Sequence, residues 1–281
     1  MFYWLYRHLE INIFQYISVR AGISFFIAFV LTMYLMPKFI KWAKAKKASQ
    51  PIYEHAPQSH QAKAGTPTMG GIVFIIATII ATLLTAKLSN IYVVGGLLTL
   101  ILFSFIGMQD DYSKISKEKN SAGLSAKAKL LLQFICAFII GFILYYFSHT
   151  TELYTPFYKL PLFDMGVFSI ILWMLVIVAS SNAVNLTDGL DGLAGGLSAI
   201  AFLAFGLIAM GSWWIEGNSD MGIFCFILMG SIMGFLVYNS NPAKVFMGDT
   251  GSLTLGATMA TIAILTSHEL SLAVIGGVFV I

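Results

Sequence analysis

Long apolar runs alternate with short polar connectors along most of the chain. The runs occupy Ala21–Met36, Gly70–Ala86, Ile91–Met108, Leu130–Phe147, Met165–Ser180, Leu193–Met210, Met221–Val237 and Ser252–Thr266. A bilayer-crossing helix needs about 20 mostly apolar residues, fewer where flanking side chains reach the interface. The pattern therefore predicts an all-α, polytopic transmembrane helical bundle. A ninth run begins at Leu270 and is still apolar at Ile281. Its twelve residues are too few to cross, so it reads as a helix cut off at the C-terminus. Residues 1–281 read as one integral membrane domain. Its first 20 residues form an interfacial segment, because Phe2–Ile17 is aromatic and mildly amphipathic and is broken by Arg7 and Glu10. A cleaved signal would carry an uninterrupted apolar centre and a small-residue cleavage site.

Composition narrows the class. The 281 residues are 58% hydrophobic and only 10% charged, against about 25% charged in a typical soluble domain. That excludes soluble, disordered and fibrous readings. The two cysteines, Cys136 and Cys225, fall inside apolar runs and read as packing residues. Apart from Arg20 at the edge of the first, the spans carry no charge, which disfavours proton relays and voltage sensors. Alternating the connectors between two sides puts twelve Lys and Arg on one side and four on the other. The basic side is predicted to be cytoplasmic, with the N-terminus outside. Lys38, Lys41, Lys44, Lys46 and Lys47 there suit anionic headgroups. The small-residue pair Gly230 and Gly234 is a candidate helix-packing contact.

The chemistry collects on that same side. Five of the seven aspartates, Asp110, Asp111, Asp188, Asp191 and Asp249, lie in three connectors predicted to face one compartment. Asp110 and Asp111 close the third span. Adjacent carboxylates repel, and a divalent cation or the nearby Lys114, Lys117, Lys119, Lys127 and Lys129 would relieve that; an ordinary solvated helix end is the plainer alternative. In Asn185-Leu-Thr-Asp-Gly-Leu-Asp191, Asp188 and Asp191 stand three apart and share a face if the sixth span starts there. Asp249 lies between two glycines before a new apolar run, a place for a hard-cation ligand, and Phe246 is an unusual aromatic in a polar loop that could stack on a flat ring. Lys63-Ala-Gly-Thr-Pro-Thr68-Met-Gly-Gly71 has the glycines, hydroxyls and lysine of a phosphate cradle at a helix start. No Gly-Lys dipeptide and no Gly-x-Gly occurs, so neither a P-loop nor a dinucleotide fingerprint is present.

The stretches Asp-Asp-Tyr-Ser-Lys114, Asn185-Leu-Thr-Asp-Gly-Leu-Asp-Gly192 and Phe246-Met-Gly-Asp-Thr-Gly-Ser252 resemble the polyprenyl-phosphate N-acetylhexosamine-1-phosphate transferases. Ser59-His-Gln-Ala-Lys-Ala-Gly-Thr-Pro-Thr-Met-Gly-Gly71 is similar to their bacterial branch acting on phospho-MurNAc-pentapeptide. The resemblance runs from about Pro37 onward. It implies ten transmembrane helices, about nine of them represented here, and a histidine-rich loop after the ninth. It also implies a homodimer in the bacterial inner membrane and a Mg²⁺-dependent reaction on the cytoplasmic face. That reaction moves phospho-MurNAc-pentapeptide from UDP-MurNAc-pentapeptide to undecaprenyl phosphate, giving lipid I and UMP, with no nucleic acid involved.

By the same resemblance Asp249 is the expected metal ligand, and Asp110 activates the lipid phosphate as base or nucleophile. Asp111 supports the metal or holds Lys114. Asp188 and Asn185 bind the sugar-diphosphate. Asp191, Phe246 and Lys63 hold uracil, while Thr68, Asn239, Lys114 and Lys127 line the site. The rivals are a GlcNAc-1-phosphate transferase using the same lipid and, from another class, a multi-span transporter or flippase. The second would place polar residues and broken helices at mid-membrane.

Overall fold

The computed structural model describes residues 6, 8–46, 48, 65–117, 122–147, 151–156, 158, 160–211 and 218–279. Nine α-helices occur among them: α1 Ile17–Ala45, α2 Gly71–Thr85, α3 Ile91–Ser116, α4 Ala126–Phe147, α5 Ser169–Thr187, α6 Leu193–Gly211, α7 Asn218–Asn239, α8 Gly248–Leu265 and α9 Glu269–Ile275. Six are long and apolar enough to cross a membrane: α1, α3, α4, α5 with its preceding turn, α6 and α7. Two short strands, β1 Glu152–Leu153 and β2 Phe163–Asp164, form an antiparallel hairpin between α4 and α5. The all-α membrane bundle read from the sequence is the fold observed.

At the centre stands α8, in which every residue from Thr250 to Leu265 is buried. Its Gly, Ala, Ser and Thr content permits this, because neighbouring backbones come close. A Cβ on Gly107 of α3 would strike the Asp249 carbonyl, and one on Gly71 of α2 would lie 2.5 Å from the Gly251 Cα. Between helices in lipid there is little hydrophobic drive, so close packing and interhelical hydrogen bonds hold the bundle. Thr99 and Thr261 hydroxyls meet at 3.0 Å, and Ser181 Oγ donates to the Leu253 carbonyl at 3.0 Å. Gly230 and Gly234 are a contact within the chain: a Cβ on either would collide with the Phe25 or Phe29 carbonyl of α1. Both cysteines are free thiols, Cys225 buried and Cys136 half-buried.

Several boundaries differ from the apolar runs, always because a helix outlasts its greasy segment. α1 continues through Pro37, where the sequence reading began a loop. A helical proline cannot donate to the carbonyl four residues back. Here the Tyr238 hydroxyl donates to that Met33 carbonyl at 3.3 Å, so the acceptor is not orphaned. α3 runs past Met108 to Ser116 and carries Asp110, Asp111 and Lys114 on helical turns. α4 starts at Ala126, so Lys127 and Lys129 are helical too. α5 extends to Thr187 with Asp188 as its C-terminal cap, and α6 begins only at Leu193. Asp188 and Asp191 therefore sit in the turn between two helices, not on one face at the start of the sixth. Gly192 in this turn has φ +78°, a left-handed conformation that ends the excursion.

Candidate active site

The helices α3, α4, α5 and α8 each deliver one end to a single cluster. Asp110 of α3 is 1% exposed. Its Oδ1 accepts from the Leu124 N–H at 2.8 Å, and its Oδ2 lies 2.5 Å from Lys114 Nζ and 3.2 Å from Lys129 Nζ. Asp249 on the first turn of α8 receives the same two ammonium groups on Oδ2, Lys129 at 2.5 Å and Lys114 at 3.1 Å. Its Oδ1 accepts from Asn185 Nδ2 at 3.0 Å, and that amide also donates to Ser252 Oγ at 2.8 Å. The two lysines thus bridge Asp110 to Asp249, while Asn185 anchors the second acid from α5.

Asp111 does something else. Its carboxylate accepts from the Asp249 N–H (3.1 Å), the Thr250 N–H (2.8 Å) and the Thr250 hydroxyl (2.6 Å). A carboxylate at the free amides of a helix N-terminus is the best-matched cap available. Here the cap comes from another helix, so Asp111 fixes where α8 begins and hence where Asp249 points. Lys114 is bonded to Asp110 and Asp249 rather than to Asp111, as the spacing of four on α3 favours.

One ligand atom from each of Asp110, Asp111 and Asp249 lies within 4.8 Å of the others, and these are the acids among the described residues grouped closely enough to hold a metal ion. Three carboxylates against two ammonium groups leave one formal negative charge in excess. Asp188 responds to that excess. Burial first, then the charges of Asp249, Asp111 and Asp191, push its carboxyl well above the usual carboxylate range.

The connector before α2 closes the site from another side. Pro67 to Gly71 runs along the loop before α8: Phe246 N–H donates to the Pro67 carbonyl (2.8 Å) and Gly70 N–H to the Phe246 carbonyl (2.9 Å). Thr68 is 3% exposed, and its hydroxyl has no hydrogen-bond partner among the described residues. It lies against Gly248: a Cβ there would come within 3.1 Å of Thr68 Oγ1 and 2.5 Å of Asp111 Oδ2. Gly248 is therefore required by close packing, and the Thr68 hydroxyl is a buried donor held beside the acid cluster.

Of the remaining residues singled out from sequence, Asn239 is buried and structural. Its amide accepts from Gly192 N–H at 3.1 Å and donates to the Val245 carbonyl at 2.9 Å, tying the α5–α6 turn to the α7–α8 loop. Asp191 accepts from the Ala243 N–H at 3.2 Å in the same tie. Phe246 is half-buried on that loop. Lys127 is exposed on the first turn of α4, away from the cluster that Lys129 enters. Lys63 lies outside the described residues.

Sequence reading did not single out Lys129 from its neighbouring lysines, and it passed over Ser252 and the Gln133–Asn182 pair. Asn182 Nδ2 donates to Gln133 Oε1 at 2.7 Å, joining α4 to α5 one turn from Lys129 and Asn185. The signal was available in α4, where Gln133, Ala137, Ile140, Gly141 and Leu144 make the buried stripe. Extending that stripe back by four residues reaches Lys129 and leaves Lys127 on the other face.

Comparison with known proteins carries the same arrangement to a family. Residues 93–267 match the model of glycosyl transferase family 4, and residues 63–75 match phospho-N-acetylmuramoyl-pentapeptide-transferase signature 1. A phospho-N-acetylmuramoyl-pentapeptide-transferase of Aliarcobacter butzleri is 63% identical over 295 aligned positions, covering 100% of this chain and 82% of the relative. The chain belongs to the phospho-N-acetylmuramoyl-pentapeptide-transferase family. Relatives of the same name in Sulfurimonas denitrificans and a Nitratiruptor species are 53% and 52% identical, each over 100% of this chain and 83% and 82% of their own. The chain is therefore an integral membrane transferase, and the acid–lysine cluster, Asn185 and Thr68 all fall within its family matches.

Proposed function

We propose that this transferase moves phospho-MurNAc-pentapeptide from UDP-MurNAc-pentapeptide to undecaprenyl phosphate, releasing UMP and forming lipid I. The observation that carries the reading is the pair of lysines bridging Asp110 and Asp249 beside the buried Thr68 hydroxyl. It is a polar, partly cationic pocket mouth where two phosphorylated substrates can meet. A lipid phosphate oxygen forms a bond to the sugar-bearing phosphorus, and the bond from that phosphorus to the bridging oxygen of UMP breaks. One phosphoanhydride replaces another, so no coupled ATP is required, in keeping with the missing P-loop.

Phosphoryl transfer depends mostly on positioning and charge neutralisation. Lys114 and Lys129 face the phosphates, Thr68 donates to a phosphate oxygen, and Asn185 holds Asp249 in place. Both oxygens of Asp110 are engaged, by Leu124 N–H and by the two ammonium groups. The step is read as direct displacement, with Asp110 receiving any proton on the lipid phosphate. The hard oxygens of Asp249, Asp110 and Asp111, with their excess negative charge, fit Mg²⁺, and Asp249 is the proposed ligand. When bound, Mg²⁺ supplies neutralisation of the pyrophosphate oxygens. Asp188, Asp191 and Phe246 flank the donor side, with Lys63 contributing to uracil binding.

In this reading the site faces the cytoplasm of a bacterial inner membrane with the N-terminus outside, as the basic bias of the connectors supports, and the enzyme works as a homodimer. The test is purified protein in nanodiscs with undecaprenyl phosphate, Mg²⁺ and either UDP-MurNAc-pentapeptide or UDP-GlcNAc. Lipid I and stoichiometric UMP from the first donor only is the expected result. Preference for UDP-GlcNAc would replace this reading by that of its GlcNAc-transferring relatives.

A further inference from the structure

Opposite the acid cluster, the α4–α5 connection carries a surface that the transfer reaction does not use. From Lys129 to Phe147, α4 rises about 27 Å at about 1.5 Å per residue, close to the roughly 30 Å thickness of a bilayer's hydrocarbon core. If Lys129 marks one boundary, Tyr145, Tyr146 and Phe147 mark the other. α5 begins beside α4 within about two turns of that end, since a Cβ on Gly141 would rest 3.4 Å from the Ile170 side chain.

Between them lies the β1–β2 hairpin, and it is firmly built. Leu162 N–H donates to the Leu153 carbonyl at 2.8 Å, and Met165 N–H to the Thr151 carbonyl at 3.0 Å. The Asp164 carboxylate accepts from the Thr151 hydroxyl and the Gly166 N–H. The register is two-faced: Glu152 stands opposite Asp164, and Leu153 opposite Phe163. One face is acidic and suits water. Phe163 is exposed on the other, and Leu160, Leu162, Val167 and Phe168 beside the strands are exposed too, Phe168 by 71%. Water would penalise this surface, at about 25 cal/mol per Å² of apolar area.

We propose that the β1–β2 hairpin and the turn after it are an interfacial anchor, with their exposed apolar side chains seated at the headgroup–acyl boundary of the leaflet opposite the active site. The occupant is lipid because the surface is continuous with the flanks of α4 (Leu131, Ile135, Phe138, Phe142) and α5 (Ile171, Leu175), which are exposed in the same way along the membrane-spanning lengths. Tyr146 and Phe147 at the end of α4 and Phe163 and Phe168 on the connection are exposed, as aromatic side chains are at a membrane–water boundary. The acidic face, with Glu152 and Asp164, then points away from anionic headgroups. The hairpin thereby sets the depth of the two helices whose far ends carry Lys129 and Asn185.

Site-directed nitroxides test this without reference to catalysis. In full-length protein with Cys136→Ser, single labels at Leu162→Cys, Phe168→Cys and Glu152→Cys are measured in phosphatidylethanolamine–phosphatidylglycerol nanodiscs. Collision with oxygen should exceed collision with a water-soluble nickel chelate at Leu162 and Phe168, and the order should reverse at Glu152. Equal nickel access at all three sites would show a hairpin standing in water and overturn the proposal. Loss of access to both reagents at Leu162 and Phe168 would overturn it too, in favour of a second protein chain on that face.

Discussion

Both ends of the bundle bury charge, and they do it differently. At one end Arg20 of α1 pairs with Asp220 of α7 at 3.5 Å, and Asn90 before α3 donates to the same aspartate at 3.3 Å. Among the described residues that cluster pairs one cation with one anion and ties three helices. At the other end three aspartates share two lysines, Asp188 stands close enough to feel them, and Thr68 keeps a buried hydroxyl with no partner among the described residues. A charge-balanced cluster holds helices together. One with surplus negative charge beside an unmet hydroxyl waits for ligands. Buried charge alone therefore does not separate structural from functional sites; charge balance does.

The widest break between the two ends should come from Asp249→Asn. The substitution keeps the shape of the side chain and removes the charge that Lys114 and Lys129 share. Turnover, measured as UMP release, should fall on the order of 10²–10³-fold, the scale of losing one preorganised electrostatic group, while the melting temperature stays near that of the parent. Near-normal turnover with Mg²⁺ present would remove Asp249 from the metal. Next in size is Lys129→Met, expected to lower kcat about 10²-fold on the same scale. Its companion Lys127→Met, on the exposed face of the same helical turn, should leave turnover unchanged. If the two effects were reversed, the placement of α4 described here would be wrong.

That pair also marks how far the sequence could be read. The spans were legible because lipid demands long apolar runs, and the acid-bearing connectors because carboxylates are scarce in such a chain. Helix ends were less legible, because Asp110, Asp111 and Lys114 look like loop residues until their mutual pairing is known. Once paired they tolerate burial, and α3 carries them past the apolar run. Asp111 was read as a partner of metal or of Lys114; its role as the cap of α8 depends on two segments 138 residues apart meeting in space. Lys129 was within reach of the buried stripe on α4, whereas Pro37 inside α1 was not, since the Tyr238 hydroxyl that satisfies Met33 comes from another helix.

A smaller effect should sharpen the site end. Gln133→Leu removes the amide pair with Asn182 and leaves Lys129 and Asn185 in place. An interhelical hydrogen bond in a membrane contributes about 0.6–1.7 kcal/mol, so thermal stability should fall modestly. If the pair also sets the spacing of α4 from α5, kcat should drop more than KM changes, and Asn182→Ala should add little to Gln133→Leu. Additive losses would make the two residues independent packing groups.

The smallest effect on turnover belongs to the opposite end. Asp220→Asn leaves the Arg20 guanidinium, only 8% exposed, facing an uncharged amide. Removing the charge of one partner weakens a buried ion pair, so unfolding should come at a lower temperature. Yet the first turn of α8 with Asp249 and both lysines lie at the other end of the bundle, beyond the reach of a screened charge. Turnover per folded molecule should match the parent when assayed well below the new melting point. A fall in kcat there would mean that the balanced cluster governs more than stability, and charge balance would no longer separate the two ends.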